Sequence, residues 1–239
     1  MKNSLIFFLI LIISCQNQEV KGKICLVIDD FGYSIGSPAI DFLKLDENIT
    51  IAIIPGTPYA KKIGQAAYSR NIESIIHMPM EAQETYKNNW YMLSSKLNSK
   101  EVDDRIVMAH ELIPWAKGMN NHQGSKATEN LELMKNVARS LKKLDLFFLD
   151  SYTNPESRAF ITMRRYGVKT ELRQVFLDHE ESYDKILNQL DSLALLSHSM
   201  DVAIGIAHTK SLTLEVLKNE MPVLKKKGYK FVKLSDIVR

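Results

Sequence analysis

Two adjacent carboxylates and two separate histidines are the residues of this chain best suited to catalysis or metal binding. Asp29 and Asp30 follow an apolar run, and two carboxylates there repel each other unless a cation or a shared proton compensates. A turn or a helix cap is the alternative for this pair, because Asp favours both. His77 ends a second apolar run, just before Pro79, and His122 lies in a polar loop flanked by glycines. Carboxylates and imidazoles together form catalytic zinc sites, so the four residues predict a metal-centred site.

Four further ionisable residues stand at the limits of apolar runs. Asp150, Asp178 and His208 each follow such a run, and Arg173 precedes one. Each has a structural alternative: Asp150 as a helix cap, Arg173 as the partner of a structural carboxylate, and His208 as a turn residue. Helix caps alone do not account for so many ionisable groups at strand ends. We therefore expect a metal or anionic site at one end of the sheet.

The elements that position these residues are short apolar runs alternating with amphipathic stretches, as in parallel strands covered by helices. The predicted strands are 24–29, 49–54, 73–77, 146–150, 174–177, 202–206 and 230–233, with an irregular strand near 116–120. The predicted helices lie near 37–45, 58–70, 101–113, 128–143, 156–166, 182–199 and 212–227. Such an α/β pattern indicates a parallel sheet, either a barrel or a doubly wound sheet. In both folds, the catalytic and ligand-binding residues lie at the carboxyl ends of the strands.

Composition and charge narrow the class of partner. The chain is 45% hydrophobic, and its 31 basic and 28 acidic residues leave a net charge of +3. This charge is too small to indicate a nucleic-acid partner, and no basic stripe with interleaved aromatic residues is present. A chain of 239 residues can bury a large core without disulfides.

The first fifteen residues predict export. Lys2 precedes an apolar run over 5–13, which is shorter than the roughly 20 residues that span a membrane. A run of this length is typical of the core of a signal peptide. Ser14-Cys15 at its end resembles the lipobox of bacterial lipoproteins, in which the cysteine is lipidated and becomes the mature N-terminus. An ordinary cleaved signal and an uncleaved anchor are the alternatives.

This interpretation divides the chain into two parts. We expect 1–22 to be a lipoprotein signal peptide with a short tether, and 23–239 to be the folded domain. The protein is then exported and held by a lipid on Cys15 at a membrane of the bacterial cell envelope. Cys25, inside an apolar run, is expected to be a small core residue, and a disulfide with Cys15 is the weaker alternative.

Taken in order along the chain, six motifs resemble those of the divergent polysaccharide deacetylase family. They are Val27-Ile28-Asp29-Asp30-Phe31-Gly32, His77-Met78-Pro79-Met80-Glu81, Asn120-Asn121-His122-Gln123-Gly124-Ser125, Leu149-Asp150-Ser151, Arg173 with Phe176-Leu177-Asp178, and Gly205-Ile206-Ala207-His208. The resemblance covers roughly 24–235, and the motifs are specific as an ordered set. It implies a distorted parallel (β/α) barrel of about seven strands, related to the NodB-type carbohydrate esterases. Those enzymes remove acetyl groups from N-acetylated sugars with a divalent metal.

The resemblance also implies roles for single residues. Asp29 would be the catalytic base and Asp30 a metal ligand, and His77 matches the first histidine of the esterase His-x-x-x-His motif. The second position of that motif is Glu81 here, so His122 is the candidate for the missing imidazole. His208 matches the late histidine that serves as general acid.

The implied function is hydrolysis of the acetamide of a cell-envelope glycan, with Zn²⁺ as the expected cation and an N-acetylated envelope polysaccharide or a peptidoglycan fragment as the expected substrate. We expect substrate-binding or supporting roles for Glu81, Asn121, Asp150, Arg173 and Asp178. Of these, Asp178 or Asp150 would orient His208.

Two other function classes remain open at this point. A non-catalytic envelope protein that binds a glycan or a cell-wall protein on the same barrel is the main alternative, because Glu81 replaces the usual histidine. A solute-binding lipoprotein would need two lobes and a hinge, which the single run of strand–helix units does not predict.

Overall fold

The computed structural model describes residues 20–84 and 90–239, in which strands and helices alternate. The strands are β1 (Gly22–Phe31), β2 (Thr50–Ile53), β3 (Glu73–Met80), β4 (Gly118–Gln123), β5 (Phe147–Asp150), β6 (Thr170–Leu172), β7 (Val175–Phe176), β8 (Val202–His208) and β9 (Tyr229–Phe231). The helices are α1 (Ala39–Phe42), α2 (Ala60–Tyr68), α3 (Ser99–Leu112), α4 (Leu131–Lys143), α5 (Ala159–Tyr166), α6 (Tyr183–Met200) and α7 (Ser211–Lys226).

These strands form one parallel sheet in the order β6-β5-β4-β3-β2-β1-β8-β7, and β9 pairs with the start of β1. β8 pairs with β1 from Lys23 to Asp29. β9 and β2 pair with the first and the last residues of β1 respectively, so β1 has three neighbouring strands.

The sheet curls until its two end strands meet at Arg173 and Gln174. The N–H of Arg173 donates to the carbonyl of Asp150 on β5 at 3.1 Å, and the N–H of Gln174 donates to the carbonyl of Ile204 on β8 at 3.0 Å. Successive residues therefore bond to β5 and β8, the strands that lie next to the two end strands β6 and β7. The chain itself closes the barrel, in agreement with the predicted distorted (β/α) barrel and not with a doubly wound sheet.

The structure contains more strands than the seven or so expected. The predicted strand 174–177 is the two-residue strand β7, and the three-residue strand β6 just before it was not predicted. The expected irregular strand near 116–120 is the regular strand β4, which pairs with β3 and β5.

Side chains of each strand alternate between the barrel interior and the surrounding helices. The interior is filled by a compact apolar cluster of Cys25, Val27, Ala52, Ile75, Phe147, Leu149, Ile204 and Ile206, together with residues near the C-terminus. The intervening residues of β1, among them Leu26 and Ile28, pack in the larger cluster with the helices. Cys25 is fully buried with a free thiol, as predicted for a core residue.

The predictions of a signal peptide and of a lipid on Cys15 concern the N-terminus. Cys15 and all but the end of the predicted signal and tether lie outside the described residues. Among the residues that the structure does describe, no helix is both long enough and apolar enough to cross a membrane.

Candidate functional site

The candidate site lies at the carboxyl ends of the strands and continues the interior face of the barrel. On β1 the interior residue Val27 is followed two positions later by Asp29, and on β3 Ile75 is followed by His77. On β8 Ile206 is followed by His208. Because alternate residues of a strand share a face, these three side chains point into the same mouth.

Asp30, His77 and His122 bring three potential metal ligands together. Asp30 Oδ1 lies 3.4 Å from His77 Nε2 and 3.2 Å from His122 Nδ1. The two imidazole nitrogens are 3.2 Å apart. Zinc bonds of about 2.0–2.1 Å require donor atoms about 3.3 Å apart around a tetrahedral centre. The three atoms therefore have the spacing of one face of a tetrahedral zinc site.

Asp30 reaches this position because its backbone leaves the strand conformation. Its φ is +67°, a left-handed conformation that Asp tolerates better than most residues. Burial raises the pKa of Asp30, but the imidazoles of His122 and His77 lower it by more, so the carboxyl pKa lies below its ordinary value. Asp30 Oδ1 is buried and has no hydrogen-bond partner among the described residues. A buried carboxylate oxygen between two imidazoles fits a cation ligand.

His77 is almost completely buried and its two ring nitrogens face different partners. Nδ1 lies 2.7 Å from Asn120 Oδ1, while Nε2 faces Asp30 and lies 3.5 Å from Asp29 Oδ2. Burial lowers the pKa of His77, but the carboxylates of Asp29 and Asp30 outweigh it, so the imidazole pKa is raised. Nε2 is thus the nitrogen available to a metal.

Asp29 is buried beside this group. Its Oδ1 accepts a hydrogen bond of 2.9 Å from Asn120 Nδ2, which leaves Oδ2 on the side of His77. Burial raises the pKa of Asp29, and the charges and hydrogen bonds of His77 and Asn120 only partly offset that effect. A carboxylate with a raised pKa accepts a proton more readily at neutral pH.

His208 stands on the other side of Asp29 and is held by Asp178. Its Nδ1 lies 2.8 Å from Asp178 Oδ1, and its backbone N–H donates to Asp178 Oδ2 at 2.8 Å. Thr213 also donates to Asp178 Oδ2. Burial lowers the pKa of His208, but the carboxylate of Asp178 raises it by more, so the imidazole stays protonated to a higher pH than usual. Asp178, and not Asp150, is the residue that orients His208.

Asp150 holds the start of the following helix, which is the structural alternative given for it above. It is one residue beyond the interior residue Leu149, so its side chain faces the helices. Its Oδ2 accepts hydrogen bonds from Ser157 Oγ at 2.7 Å and from the N–H of Phe160 at the start of α5. Burial raises the pKa of Asp150, and these hydrogen bonds lower it in part.

Arg173 and Asn121 hold the turn that follows β5. Arg173 donates from Nε to the carbonyl of Ser151 at 2.7 Å and from Nη2 to the carbonyl of Tyr152 at 2.9 Å. The Asn121 side chain accepts a hydrogen bond from the N–H of Ser151 and donates to the carbonyl of Gln123. These contacts hold the backbone of the turn after β5 and do not involve the three metal-ligand candidates.

Glu81 lies outside the group of three ligands. Its Oε2 accepts hydrogen bonds from the Ser95 N–H at 2.9 Å and the Ser95 Oγ at 2.8 Å, and its Oε1 pairs with Lys126 Nζ at 2.8 Å. Burial raises the pKa of Glu81, but Lys126 and Ser95 lower it by more, so the pKa lies below its ordinary value. The ionised carboxylate therefore holds Ser95 and Lys126 in place. The second imidazole of the site comes from His122 on β4.

Asn120 contacts both Asp29 and His77, although the sequence pattern did not distinguish it as a site residue. It lies directly opposite His77 because β3 and β4 pair in register at these two residues. Its amide was part of a recognised motif, but only the register of the two strands shows that it enters the site.

Comparisons with known proteins identify the family and the fold of the chain. The family model described as divergent polysaccharide deacetylase matches residues 26–238. An uncharacterized protein of Haemophilus influenzae is 34% identical over 198 residues, which are 83% of this chain and 70% of that protein. The uncharacterized protein YibQ of Escherichia coli is 32% identical over 217 residues, 91% of this chain and 67% of that protein.

Two solved structures show the same fold. The uncharacterized protein ATU2773 of Agrobacterium tumefaciens C58 matches with a TM-score of 0.85 at 18% identity, covering 93% of this chain and 91% of that one. The catalytic domain of a peptidoglycan N-acetylglucosamine deacetylase from Eubacterium rectale matches with a TM-score of 0.56 at 14% identity, covering 89% and 88% of the two chains. At these identities the likeness is one of fold.

Proposed function

The chain belongs to the divergent polysaccharide deacetylase family, and on that premise we propose that it removes acetyl groups from an N-acetylated glycan of the cell envelope in a reaction that requires a divalent cation. The observation that carries the proposal is the triangle of Asp30 Oδ1, His77 Nε2 and His122 Nδ1 beside the buried carboxyl of Asp29. A fold and family of this kind support a polysaccharide deacetylase type of function.

The residues present fit a cation of the zinc type. Two imidazoles and one carboxylate are the ligand set of catalytic zinc sites, which keep a position open for water or substrate. When bound, such an ion lowers the pKa of water and polarises a carbonyl group. Asp30, His77 and His122 would hold it at the mouth of the barrel.

Asp29 is the proposed general base. In amide hydrolysis, water adds to the acetamide carbon, the C–N bond breaks, and acetate and a free amine leave. Asp29 Oδ2 accepts the proton that water loses, since Oδ1 is occupied by the Asn120 amide. Its raised pKa, caused chiefly by burial, suits this role.

His208 is the proposed general acid. The departing nitrogen needs a proton, and His208 can supply it from Nε2 because Nδ1 is engaged by Asp178. The carboxylate of Asp178 also raises the pKa of His208, which keeps the imidazole charged to a higher pH than usual. Asp178 therefore both orients the imidazole of His208 and favours its protonated form.

The substrate that we propose is a peptidoglycan fragment or a related acetylated polysaccharide. The similar fold of a peptidoglycan N-acetylglucosamine deacetylase supports this choice, as does the export signal expected from the sequence. We also propose that a lipid on Cys15 holds the protein at the envelope. Metabolic labelling with an alkyne fatty acid should mark the wild-type protein, and an unchanged signal in Cys15→Ser would contradict this location.

The test of the activity is acetate release by the full chain, purified in detergent and loaded with Zn²⁺. N-acetylated peptidoglycan fragments and chitooligosaccharides are the substrates, and Asp30→Asn is the site variant. We expect one acetate for each new amine. We expect neither product when a chelator removes the metal or when Asp30 is replaced by Asn. Zn²⁺-loaded protein that binds these glycans without releasing acetate would overturn the catalytic proposal and support a binding protein.

A further inference from the structure

We infer that Asn120 is a positioning residue that sets the tautomer of His77 and the orientation of Asp29 through one side-chain amide. The inference rests on the proposed function, because it assigns Asn120 to the same site. Asn120 is fully buried on β4, and its side chain lies between the two residues, which belong to β1 and β3.

The orientation of the amide follows from the chemistry of its neighbours. A carboxylate oxygen only accepts hydrogen bonds, so the atom that contacts Asp29 Oδ1 at 2.9 Å must be the NH₂ group of Asn120. The other end of the amide is then the carbonyl oxygen. That oxygen lies 2.7 Å from His77 Nδ1.

The tautomer of His77 follows from the orientation of the amide. A carbonyl oxygen only accepts, so His77 Nδ1 must carry the hydrogen of this bond. The lone pair of a neutral His77 then lies on Nε2, the atom that faces Asp30 and His122. Partners of the second nitrogen of metal-binding histidines commonly tune metal affinity in this way.

The same amide also fixes the proposed base. With Oδ1 of Asp29 held by Asn120, the carboxyl group cannot rotate freely, and Oδ2 stays on the side of His77. One rigid side chain thus determines which nitrogen can bind the cation and which oxygen can take the proton.

Spectroscopy of the Zn²⁺-loaded full chain tests the tautomer without any activity. Long-range ¹H–¹⁵N correlation spectra of protein labelled with ¹⁵N-histidine should show His77 protonated at Nδ1 and metal-bound at Nε2. Coordination through Nδ1, or a proton on Nε2, would overturn the inference whatever the variants do.

Two variants separate the two hydrogen bonds of Asn120. Asn120→Leu has a similar volume and removes both bonds, and we expect Zn²⁺ affinity to fall about 10- to 100-fold. Asn120→Asp keeps an oxygen that accepts from His77 but sets a second carboxyl group against Asp29, which either repels Asp29 or shares a proton with it and in both cases impairs the proposed base. We expect this variant to retain the Nδ1–H signature and Zn²⁺ affinity within about threefold of wild type, while kcat falls more than about tenfold with little change in KM.

Asn188→Asp on the exposed face of α6 is the matched control for the added charge, with all wild-type properties expected. Thermal unfolding identifies a variant that fails to fold. Folded Asn120→Leu with wild-type Zn²⁺ affinity, or Asn120→Asp with wild-type kcat, would overturn the inference. If Zn²⁺ binding and the His77 signature behave as expected but no glycan is deacetylated, the proposed function fails and the tautomer assignment stands.

Discussion

Asp29 and His208 lie directly opposite each other on neighbouring strands, because β1 and β8 pair in parallel with these two residues in register. The first is a buried carboxyl whose pKa is raised by burial, and the second is an imidazole whose pKa is raised by Asp178 despite its burial. The proposed base and the proposed acid are therefore held at a fixed separation by backbone hydrogen bonds. Strand pairing, rather than loop conformation, positions the proton-transfer groups.

Replacement of the proposed base should separate catalysis from metal binding. In Asp29→Asn we expect kcat/KM to fall by about 10²- to 10⁴-fold, because general-base catalysis contributes on this scale. Zn²⁺ stoichiometry should not change, since Asp29 is not one of the three ligands. Acetate-release kinetics and metal analysis of the same preparations give both values. Loss of Zn²⁺ from a folded Asp29→Asn protein would contradict the assigned division of roles.

The Asp178–His208 pair should set the alkaline limit of activity. The proposed acid must be protonated, and Asp178 raises the pKa of His208, so in Asp178→Asn the fall of kcat/KM at high pH should begin at lower pH. The pH dependence of kcat/KM measures this shift. Thr209→Ser is a suitable control because it keeps a hydroxyl for the carbonyl of Asp29 and leaves Asp178 in place. If the alkaline limb of the pH profile does not move in Asp178→Asn, His208 is not the group whose deprotonation ends the activity.

The same pair should stabilise the fold within a defined pH range. The raised pKa of His208 means that its contribution is present below the unfolded pKa of about 6.5 and is lost as the pH rises through the folded pKa. Hydrogen bonds and the charge of His208 overcome burial and lower the pKa of Asp178, so its contribution is lost as the pH falls through that folded pKa. In the metal-free protein, the destabilisation caused by His208→Gln should be largest between about pH 4 and 6.5 and smaller at pH 9. Urea unfolding across this range measures it, and an equal loss at every pH would contradict the electrostatic origin.

The sequence predicts most of the site because parallel strands end at one edge of a sheet. Asp29, His77 and His208 each follow a recognisable apolar strand, and their alternation with interior residues brings them together. The sequence did not show that Asn120 meets His77, since these residues are far apart in the chain and only strand register places them side by side. Register between parallel strands depends on tertiary packing.

Barrel closure is the part of the fold that the sequence pattern could not show. β6 has three residues and β7 has two, which is too short for a periodic pattern of apolar residues. The change of hydrogen-bonding partner occurs between Arg173 and Gln174. Every residue except proline carries a backbone N–H group, so the sequence at these two positions does not indicate whether the sheet is open or closed.

Glu81 should matter for stability and not for metal binding. Its carboxylate holds Ser95 and Lys126 from a buried position, so Glu81→Gln should lower the free energy of unfolding by about 1–2 kcal/mol through weaker charged hydrogen bonds. Zn²⁺ affinity should remain within about threefold of wild type because the carboxylate is not among the three ligand candidates. Urea unfolding and competitive Zn²⁺ titration measure the two effects. A large loss of affinity with unchanged stability would identify Glu81 as a ligand.

Metal binding should stabilise the folded chain, and Asp30→Asn should remove that effect without straining the backbone. Asn, like Asp, tolerates the positive φ of residue 30, so the variant removes a charged ligand at little conformational cost. At Zn²⁺ concentrations about 100 times Kd, the wild-type protein should gain about 2.7 kcal/mol, which raises Tm by roughly 5–10 °C for a domain of this size. His122→Gln should lose the same increment, whereas Asp191→Asn on the exposed face of α6 should keep it. Thermal unfolding with and without Zn²⁺ measures the increment. If Zn²⁺ raises the Tm of Asp30→Asn and His122→Gln as much as that of the wild type, the ion binds elsewhere on the molecule.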